Sequence, residues 1–284
     1  MKPGPFVYHR PLSVQEALSV LTDVGHEGKI LAGGQSLIPI LNMRLASPSH
    51  LVDINRVPGL DEVTVSSEAV RVGALVRHRQ LERDTGAYAA NPLLRQALHC
   101  VAHPAIRNRG TTVGSIAHAD AAGEMPSVAV LTEAVMEIRG PSGVREVAAD
   151  DFFEGALETC LDHDEILEAV RFGRFPEGTG TAFLESARRH GDYALAGVAA
   201  AVTVTDGTIV SARASFVSVT EVPTRLDLTE AVAGQEPGAV DWSVIDDLVQ
   251  EHISPEADIH ATADYRRVLA GELTRRALAQ AVTR

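Results

Sequence analysis

The sequence predicts an α+β chain of two domains. Its 284 residues exceed the roughly 100–200 residues of a typical domain. The first half alternates short β-rich runs with helical patterns, whereas the second half contains two β-branched runs joined by Asp206-Gly207, a strong hairpin signal. Between these parts, residues 172–180 (FGRFPEGTG) are rich in glycine, which indicates a linker. We therefore place the two domains at residues 1–176 and 177–284.

Hydrophobic periodicity and turn residues predict the elements of the first domain. Ser13 followed by Glu16 is a capping-box signature, which opens a helix that runs through Leu21. The later elements are strands at 29–32 and 50–54, a helix over 37–45, a hairpin of 63–65 and 70–72, helices from Asn91-Pro92 and over 128–134, and a strand at 135–138.

The second domain is expected to be a small antiparallel sheet packed with helices. The β-branched runs at 197–205 and 208–219 form its central hairpin around Asp206-Gly207. Three stretches with helical spacing follow, at 226–234, 241–252 and 263–283.

Composition excludes several classes of protein. The formal net charge of −13 argues against nucleic-acid binding, which needs clustered Lys and Arg. The two cysteines, Cys100 and Cys160, supply neither an iron–sulfur cluster nor a disulfide framework. The start of the sequence lacks a signal-peptide pattern, and the most apolar run, 194–202, is far shorter than the ~20 residues that span a bilayer. We expect a cytoplasmic protein without a membrane span.

Histidine spacing provides only weak metal-site candidates. His99 and His103 have the i, i+4 spacing of two ligands on a helix, but no acidic or thiolate residue is close to them in sequence and Pro104 ends the helix. A packing or surface role is therefore favoured there. Cys160 and His163 are an equally weak pair, and we expect no metal site in this chain.

A glycine pair between a strand and a helix marks the first candidate binding site. The run 31–37 (LAGGQSL) follows the predicted strand at 29–32, and Ser36 is the expected N-cap of the next helix, with Pro39 in its first turn. Adjacent glycines let backbone N–H groups approach a ligand, and a helix start adds free N–H donors and a partial positive charge. Such a loop suits a pyrophosphate, although a tight strand–helix turn is the simpler interpretation of its shape alone.

The second candidate site is the run 109–120 (RGTTVGSIAHAD), which Glu124 and Pro126 follow closely. Its small side chains and hydroxyls predict a loop against which a flat molecule can press. Taken alone, this run is more simply interpreted as a structural loop.

Four segments together carry a resemblance that neither loop carries alone: residues 32–45 (AGGQSLIPILNMRL), 110–126 (GTTVGSIAHADAAGEMP), 189–194 (RHGDYA) and 258–267 (DIHATADYRR). They resemble the flavoprotein (medium) subunits of molybdenum hydroxylases, a family that includes the carbon monoxide dehydrogenase medium subunit and the FAD domain of xanthine dehydrogenase. The resemblance covers almost the whole chain without a large insertion. It departs from the family's pattern at Val113, where a glycine is usual, and at Ala121, where a proline is common.

The resemblance implies a fold and a set of FAD-binding residues. The first domain would be a two-subdomain FAD-binding domain of the vanillyl-alcohol oxidase/p-cresol methylhydroxylase type, with subdomains at about residues 1–55 and 56–176. Residues 177–284 would form a C-terminal α+β domain of the carbon monoxide dehydrogenase flavoprotein type. The pyrophosphate would lie on the N–H groups of residues 33–36, and the Glu124 carboxylate would accept the adenosine ribose hydroxyls. The implied cofactor-binding residues are Lys29, Ile30, Leu31, Ala32, Gly33, Gly34, Gln35, Ser36, Leu37, Ala102, Thr111, Val113, Gly114, Ser115, Asp120, Glu124, Leu167, Asp192 and Tyr193.

Tyr193 has a particular implication for the electron acceptor. The resemblance places it near the isoalloxazine ring, where its aromatic face can stack. A tyrosine in that position would obstruct a nicotinamide, so we expect that NAD is not the natural acceptor. The alternative is a turn tyrosine whose hydroxyl is bonded locally.

The implied function is electron transfer within a complex. Substrate would be oxidised at a molybdenum cofactor on a large molybdopterin-binding subunit, and electrons would pass through [2Fe-2S] clusters on a small subunit to FAD on this chain. An external acceptor, such as a quinone or a cytochrome, would take them onward. No side chain of this chain is expected to be catalytic, and the family usually assembles as a dimer of heterotrimers.

Several functional alternatives stay open at this stage. Carbon monoxide is the first candidate substrate, and the alternatives are the flavin subunit of a purine or other N-heterocycle hydroxylase or of an aldehyde hydroxylase. A free-standing FAD oxidoreductase would need an acid–base residue, for which His118 or Asp120 are candidates. A ligand-binding module without flavin is the third class. The two cysteines place any iron–sulfur cluster on another chain and argue against the 4-hydroxybenzoyl-CoA reductase branch, whose flavin subunit has a Cys-rich insertion.

Overall fold

A parallel sheet of three strands forms the N-terminal part of the protein, whose computed structural model describes residues 2–283. Its elements are β1 (Val7–His9), α1 (Val14–Val24), β2 (Gly28–Leu31), α2 (Leu37–Met43) and β3 (His50–Asp53). The strand order is β1-β3-β2, so β2 ends beside β3 at the same edge of the sheet. The predicted cap of α1 is confirmed, because Ser13 Oγ accepts the Glu16 N–H at 3.1 Å and the Glu16 carboxylate accepts the Leu12 N–H at 2.7 Å.

An antiparallel sheet of five strands, flanked by helices, follows. Its elements are β4 (Val63–Val65), β5 (Ala69–Gly73), α3 (His78–Arg83), α4 (Thr85–Ala90), α5 (Pro92–Cys100), α6 (Pro104–Arg107), α7 (Thr112–His118), α8 (Glu124–Leu131), β6 (Val135–Gly140), β7 (Gly143–Ala148), α9 (Ala149–Phe152), β8 (Phe153–Gly155), β9 (Glu158–Thr159) and β10 (Ile166–Gly173). The strand order is β4-β5-β10-β6-β7, and β8 and β9 form a separate two-stranded sheet. The predicted hairpin of β4 and β5 is confirmed.

The last part of the chain is an antiparallel sheet of four strands with helices. Its elements are β11 (Thr179–Ala187), β12 (Ala194–Thr205), β13 (Thr208–Val217), β14 (Arg225–Asp227), α10 (Thr229–Val232), α11 (Asp246–His252) and α12 (Ala263–Ala281). The predicted hairpin of β12 and β13 is confirmed, and Asp206 (φ 50°) and Gly207 (φ 81°) both adopt the positive φ of a type I′ turn. The α+β class predicted for the chain is confirmed.

The predicted helix at 226–234 is wrong in its first half. Residues 225–227 form β14, whose Leu226 pairs with Ala214 of β13, and the N–H of Leu228 donates to the Ala212 carbonyl at 2.8 Å. Only Thr229–Val232 is helical. The apolar spacing of this segment suits a helix, but its backbone instead completes the edge of a sheet, a long-range pairing that local periodicity does not reveal.

The sheet of the last part lies between two apolar cores. Alternate residues of β12 face opposite sides, so Ala199 and Ala201 join the core of the preceding sheet whereas Val198 and Ala200 pack toward α12. Burial of both faces explains why 194–202 is continuously apolar. The domain division that we predict at residue 176 lies in the connection 174–178 between β10 and β11 and stays a prediction.

Candidate functional site

The loop between β2 and α2 presents four successive backbone N–H groups. Those of Gly33, Gly34, Gln35 and Ser36 donate to no partner within residues 2–283. The loop is half-buried, and Gly34 adopts φ +71°, which favours glycine. Ser36 precedes α2 as predicted, but its backbone is in the α region and its hydroxyl does not cap the helix. The predicted side-chain cap is therefore wrong, and the hydroxyl is left available to a ligand.

Gly33 brings the first loop against the second. A Cβ on Gly33 would lie 2.6 Å from the Arg109 carbonyl oxygen, 2.7 Å from the Gly110 Cα and 2.9 Å from the Thr111 nitrogen. Real Cβ atoms do not approach other atoms so closely, so glycine is needed here for contact between the two loops. The sequence interpretation attributed both glycines to close approach of a ligand, which the surroundings of Gly33 correct.

Asn55 and Arg77 connect the two loops through side chains. Asn55 Nδ2 donates to the Ala32 carbonyl at 2.8 Å, and the Arg77 guanidinium donates both to Asn55 Oδ1 and to the Arg109 carbonyl. Sequence reasoning missed both residues. A signal for Asn55 was present, since a polar residue just past the end of β3 lies near the end of the neighbouring parallel strand β2.

The second candidate loop is largely helical, which the sequence analysis did not predict. Thr111 caps α7 by accepting the Gly114 N–H at 3.2 Å, and a Cβ on Gly114 would collide with the Thr111 hydroxyl. Val113, which replaces a usual glycine, is buried in the core, so its side chain points away from the surface that Gly114 and Ser115 share. The small residues thus serve a tight helix start.

A buried neutral histidine supports this second segment. The His78 backbone N–H donates to the Gly110 carbonyl at 3.0 Å, and its ring Nδ1 lies 3.2 Å from the Thr112 hydroxyl. Burial, with the nearby Arg107 charge, lowers the pKa of His78 to about 4. His78 is therefore uncharged at neutral pH and fills the space behind Gly110, whose added Cβ would lie 2.9 Å from the imidazole. Sequence reasoning missed His78.

Beyond the C-terminal end of α7, the carboxyl groups of Asp120 and Glu124 from the first predicted domain and of Glu185 from the second lie near one another. Glu124 begins α8, and burial, followed by the charges of Glu185 and Asp120, raises its pKa to about 8. Glu185 on β11 lies beside Cys100, and burial raises its pKa to about 7. Burial and the Glu185 charge raise the pKa of the Cys100 thiol to about 12. Glu185 Oε2 is buried and lacks a hydrogen-bond partner in the described part of the chain. Sequence reasoning missed Glu185 and Cys100.

Tyr193 reaches this cluster from the turn between β11 and β12. Its side chain is 68% exposed, and desolvation of the hydroxyl end, together with the carboxylates of Asp120 and Glu124, raises its pKa. The turn rests on the first domain, since an added Cβ on Gly191 (φ +87°) would lie 2.6 Å from the His103 ring. The predicted site residue Ala102 lies at this contact.

Ala102 has an unusual backbone that a buried arginine stabilises. Its φ is +41°, and Arg107 Nη1 donates to the carbonyls of Val101 and Ala102 at 2.8 and 2.9 Å. Arg107 in turn pairs with Glu82 at 3.3 Å. Glu82 also lies 3.5 Å from His99, so an acidic residue does accompany His99 in space, which the sequence spacing did not show.

The predicted site residues fall into three sets. The loop 33–36 meets the start of α7, while Asp120, Glu124 and Tyr193 form a second group at the other end of that helix. In the third set, Lys29 and Asp192 are exposed, and Leu167 is a core residue that is only 4% exposed. The predicted residues on either side of the first loop, Ile30, Leu31, Ala32 and Leu37, are half-buried.

These residues fit FAD. The unpaired N–H groups of residues 33–36 and the Ser36 hydroxyl suit a pyrophosphate. The Glu124 carboxyl group and the unpaired Glu185 oxygen near it suit hydroxyl groups that donate hydrogen bonds. Within residues 2–283, no group of three or more His, Cys, Asp or Glu side chains is arranged to hold a metal ion. In the same part of the chain, no helix has both the length and the apolar character needed to cross a membrane.

Comparison with protein families agrees with this class of site. Residues 4–174 match the FAD binding domain in molybdopterin dehydrogenase, and residues 181–281 match the CO dehydrogenase flavoprotein C-terminal domain. The chain belongs to this family of FAD-binding oxidoreductase subunits.

Individual relatives match over their whole length. The carbon monoxide dehydrogenase medium chain of Afipia carboxidovorans is 36% identical, with 100% of this chain and 99% of the relative covered. The nicotine 6-hydroxylase medium subunit of Paenarthrobacter nicotinovorans is also 36% identical, with 100% of both chains covered. The solved structure of reconstituted CO dehydrogenase from Oligotropha carboxidovorans superimposes with a TM-score of 0.96 at 34% identity, covering 100% of both chains.

Proposed function

We propose that this chain is the FAD-carrying medium subunit of a molybdenum hydroxylase, which passes electrons from [2Fe-2S] clusters of a partner subunit to an external acceptor. The observation that carries the proposal is the row of unpaired N–H groups at residues 33–36, held against residues 109–111 by Gly33. Bound FAD would supply the ability to accept electrons singly and release them in pairs. The protein would bind and orient it.

The chain's own residues would divide this task. The first loop would hold the pyrophosphate, and Gly114 and Ser115 would contact the ribityl chain. The Glu124 carboxylate would accept hydrogen bonds from the ribose hydroxyl groups. Because its raised pKa keeps Glu124 protonated at neutral pH, it would have to release that proton when FAD binds. Tyr193 would cover the isoalloxazine ring. The full set of nineteen site residues given by the resemblance, and the division at residue 176, are part of this proposal.

The proposal includes partners that carry the metal centres. A large molybdopterin-binding subunit and a small [2Fe-2S] subunit would complete a heterotrimer, which would form a dimer in the cytoplasm. Support comes from the relatives, which are called medium chains or medium subunits, and from Cys100 and Cys160, which are both free thiols. A quinone or a cytochrome would be the external acceptor.

Carbon monoxide is the proposed substrate of the complex. Support for it comes from carbon monoxide dehydrogenase medium chains at 34% and 36% identity. The nicotine 6-hydroxylase subunit is as similar, at 36%, and in the proposed scheme the flavin subunit does not contact the substrate, so identity of this chain does not separate the two. An N-heterocycle hydroxylase is therefore the second candidate.

Purification of a tagged chain from its native cells tests the proposal. We expect two further proteins in equimolar amounts, with molybdenum and iron in the complex and FAD on this chain. A tagged chain that retains FAD but purifies without partners would contradict the proposed complex. A chain that neither retains FAD nor takes it up on reconstitution would contradict the cofactor as well.

A further inference from the structure

A buried arginine connects the C-terminal segment of the protein to the start of β12, next to the turn that carries Tyr193. Arg266 lies in α12 and is only 6% exposed. Its Nη2 donates to Asp258 Oδ2 at 2.7 Å. Its Nη1 donates to the Leu195 carbonyl at 2.6 Å and to the Ser218 carbonyl at 3.4 Å. One guanidinium thus joins three separate segments of the chain.

Two of these segments lead directly to Tyr193 and to Asp120. Leu195 is two residues beyond Tyr193 in β12. Ser218 has a φ of +64°, and its N–H donates to the Ala121 carbonyl at 2.8 Å, directly beside Asp120. Arg266 therefore fixes the backbone next to Tyr193 and also the segment that supports the Asp120 turn.

Asp258 is itself held rigidly toward Arg266. Its carboxylate accepts the N–H groups of His260 and Ala261 at 2.8 and 2.9 Å, and these bonds with the Arg266 charge lower the pKa of Asp258 to about 2. Arg266 Nε is buried and has no hydrogen-bond partner in the part of the chain that the structure describes. The Arg266 guanidinium is buried whereas the Asp258 carboxylate is half exposed, and solvent weakens such a pair. The two carbonyls that Arg266 also binds therefore point to a geometric role more than to a stabilising one.

We propose that Arg266, oriented by Asp258, is a positioning residue that fixes Tyr193 against Asp120 and thereby controls which electron acceptors reach the flavin. The second part rests on the proposed function, in which Tyr193 covers the isoalloxazine ring. Within residues 2–283, the side chains of Asp258 and Arg266 make no hydrogen bond or ion pair with the first loop or α7, so the pair would act through the backbone of Leu195 and Ser218.

The first arm of the test observes Tyr193 without relying on turnover. The full chain has four tyrosines, and Tyr193→Phe assigns the Tyr193 signal in a pH titration of carbon-13-labelled tyrosine by NMR. Because burial and the nearby carboxylates of Asp120 and Glu124 raise the pKa of Tyr193, we expect it to titrate above an ordinary tyrosine in the native chain. We expect Arg266→Gln to shift this titration toward the ordinary value, Asp258→Asn to shift it in the same direction, and Arg266→Lys to restore part of the difference.

The matched control is Arg275→Gln, on the same helix. Arg275 pairs with Glu272 at 2.9 Å and Asp246 at 3.5 Å and touches neither Leu195 nor Ser218. We expect this variant to leave the Tyr193 titration unchanged. An unchanged titration in folded Arg266→Gln and Asp258→Asn chains would overturn the positioning role, and Asp258→Asn decides the question where Arg266→Gln does not fold.

The second arm measures acceptor preference in the purified complex. We expect both Arg266→Gln and Tyr193→Ala to gain NAD reduction relative to the native complex, while FAD content stays equal. No gain in either variant, with a clear shift in the first arm, would overturn the placement of Tyr193 over the flavin and leave the positioning of Tyr193 by Arg266 in place. A gain in Tyr193→Ala alone would overturn control of acceptor access by Arg266.

Discussion

Gly33 and Arg109 lie in backbone contact: a Cβ on Gly33 would approach the Arg109 carbonyl oxygen to 2.6 Å. This contact joins the two segments that the sequence marked separately as binding loops. The two adjacent glycines consequently have different tasks. Gly33 permits the approach of the second segment, while Gly34, at φ +71°, permits the turn that exposes the N–H groups.

Substitution of Gly33 by alanine should separate the two segments. We expect Gly33→Ala to lower the free energy of unfolding by ~1–3 kcal/mol, as overpacked sites do, and to lower the FAD content of the purified chain. Thermal unfolding and the ratio of flavin absorbance to protein measure both effects. Gly238→Ala is the control, because its added Cβ would meet no atom within 4 Å. Full FAD content in Gly33→Ala would show that the contact is dispensable for binding.

Loss of the Asn55 side chain should weaken FAD binding, although Asn55 is not one of the residues proposed to contact the cofactor. Asn55→Ala removes the bond to Ala32 and leaves one Arg77 donor without its acceptor. Each lost bond contributes ~0.5–1.5 kcal/mol, so we expect the FAD dissociation constant to rise about tenfold. Fluorescence titration of the FAD-free chain measures this. Asn108→Ala is the control, since Asn108 is exposed and its side chain makes no hydrogen bond within residues 2–283. Equal dissociation constants for the two variants would exclude the bracing role.

Glu124 should make the FAD-free chain less stable as pH rises. Its pKa is raised from 4.5 to about 8, so between these values the folded chain keeps a proton that the unfolded chain has released. The contribution favouring the folded state is complete below about pH 4.5 and is lost progressively up to about pH 8. We expect Glu124→Gln to flatten this dependence in chemical unfolding curves at pH 5 and pH 8.5. Glu177→Gln, on an exposed residue, should retain the native slope. A native slope in Glu124→Gln would contradict the raised pKa.

FAD binding should be linked to release of the same proton. If the ionised Glu124 carboxylate accepts hydrogen bonds from the ribose hydroxyl groups, FAD binding lowers the pKa of Glu124. The affinity for FAD must then increase with pH up to about pH 8. Calorimetry in buffers of different ionisation enthalpy measures the proton released. We expect Glu124→Gln to bind FAD more weakly, with no increase over that pH range. An affinity that falls with rising pH in the native chain would place the Glu124 proton in the bound state instead.

Features set by neighbouring residues were predictable from the sequence. The Ser13 cap and the Asp206-Gly207 turn depend on side chains and φ values within a few residues, and both are confirmed. The paired glycines were recognised for the same reason. The helical character of 112–118 was missed because Gly114 and the hydroxyl residues favour a loop locally, whereas the Thr111 cap and the buried Val113 favour the helix.

Residues whose roles depend on distant partners were not predictable. Glu185 acquires its raised pKa from burial in the contact between β11 and the first domain, beside Cys100. Arg77 acts on carbonyl and amide oxygens far away in the sequence, and Arg266 joins three segments. No local pattern distinguishes these residues from surface charges. The resemblance supplied the Tyr193 and Glu124 positions, which periodicity alone did not.

Anaerobic reduction of the flavin tests the central claim most directly. The flavin absorbance of the purified complex would be followed after addition of carbon monoxide, an N-heterocycle or an aldehyde, with the isolated chain treated identically. We predict that one of these substrates bleaches the flavin in the complex and that none does so in the isolated chain, because the electrons enter through the partner's clusters. Direct bleaching of the flavin in the isolated chain by a substrate would contradict the account and identify a free-standing oxidoreductase.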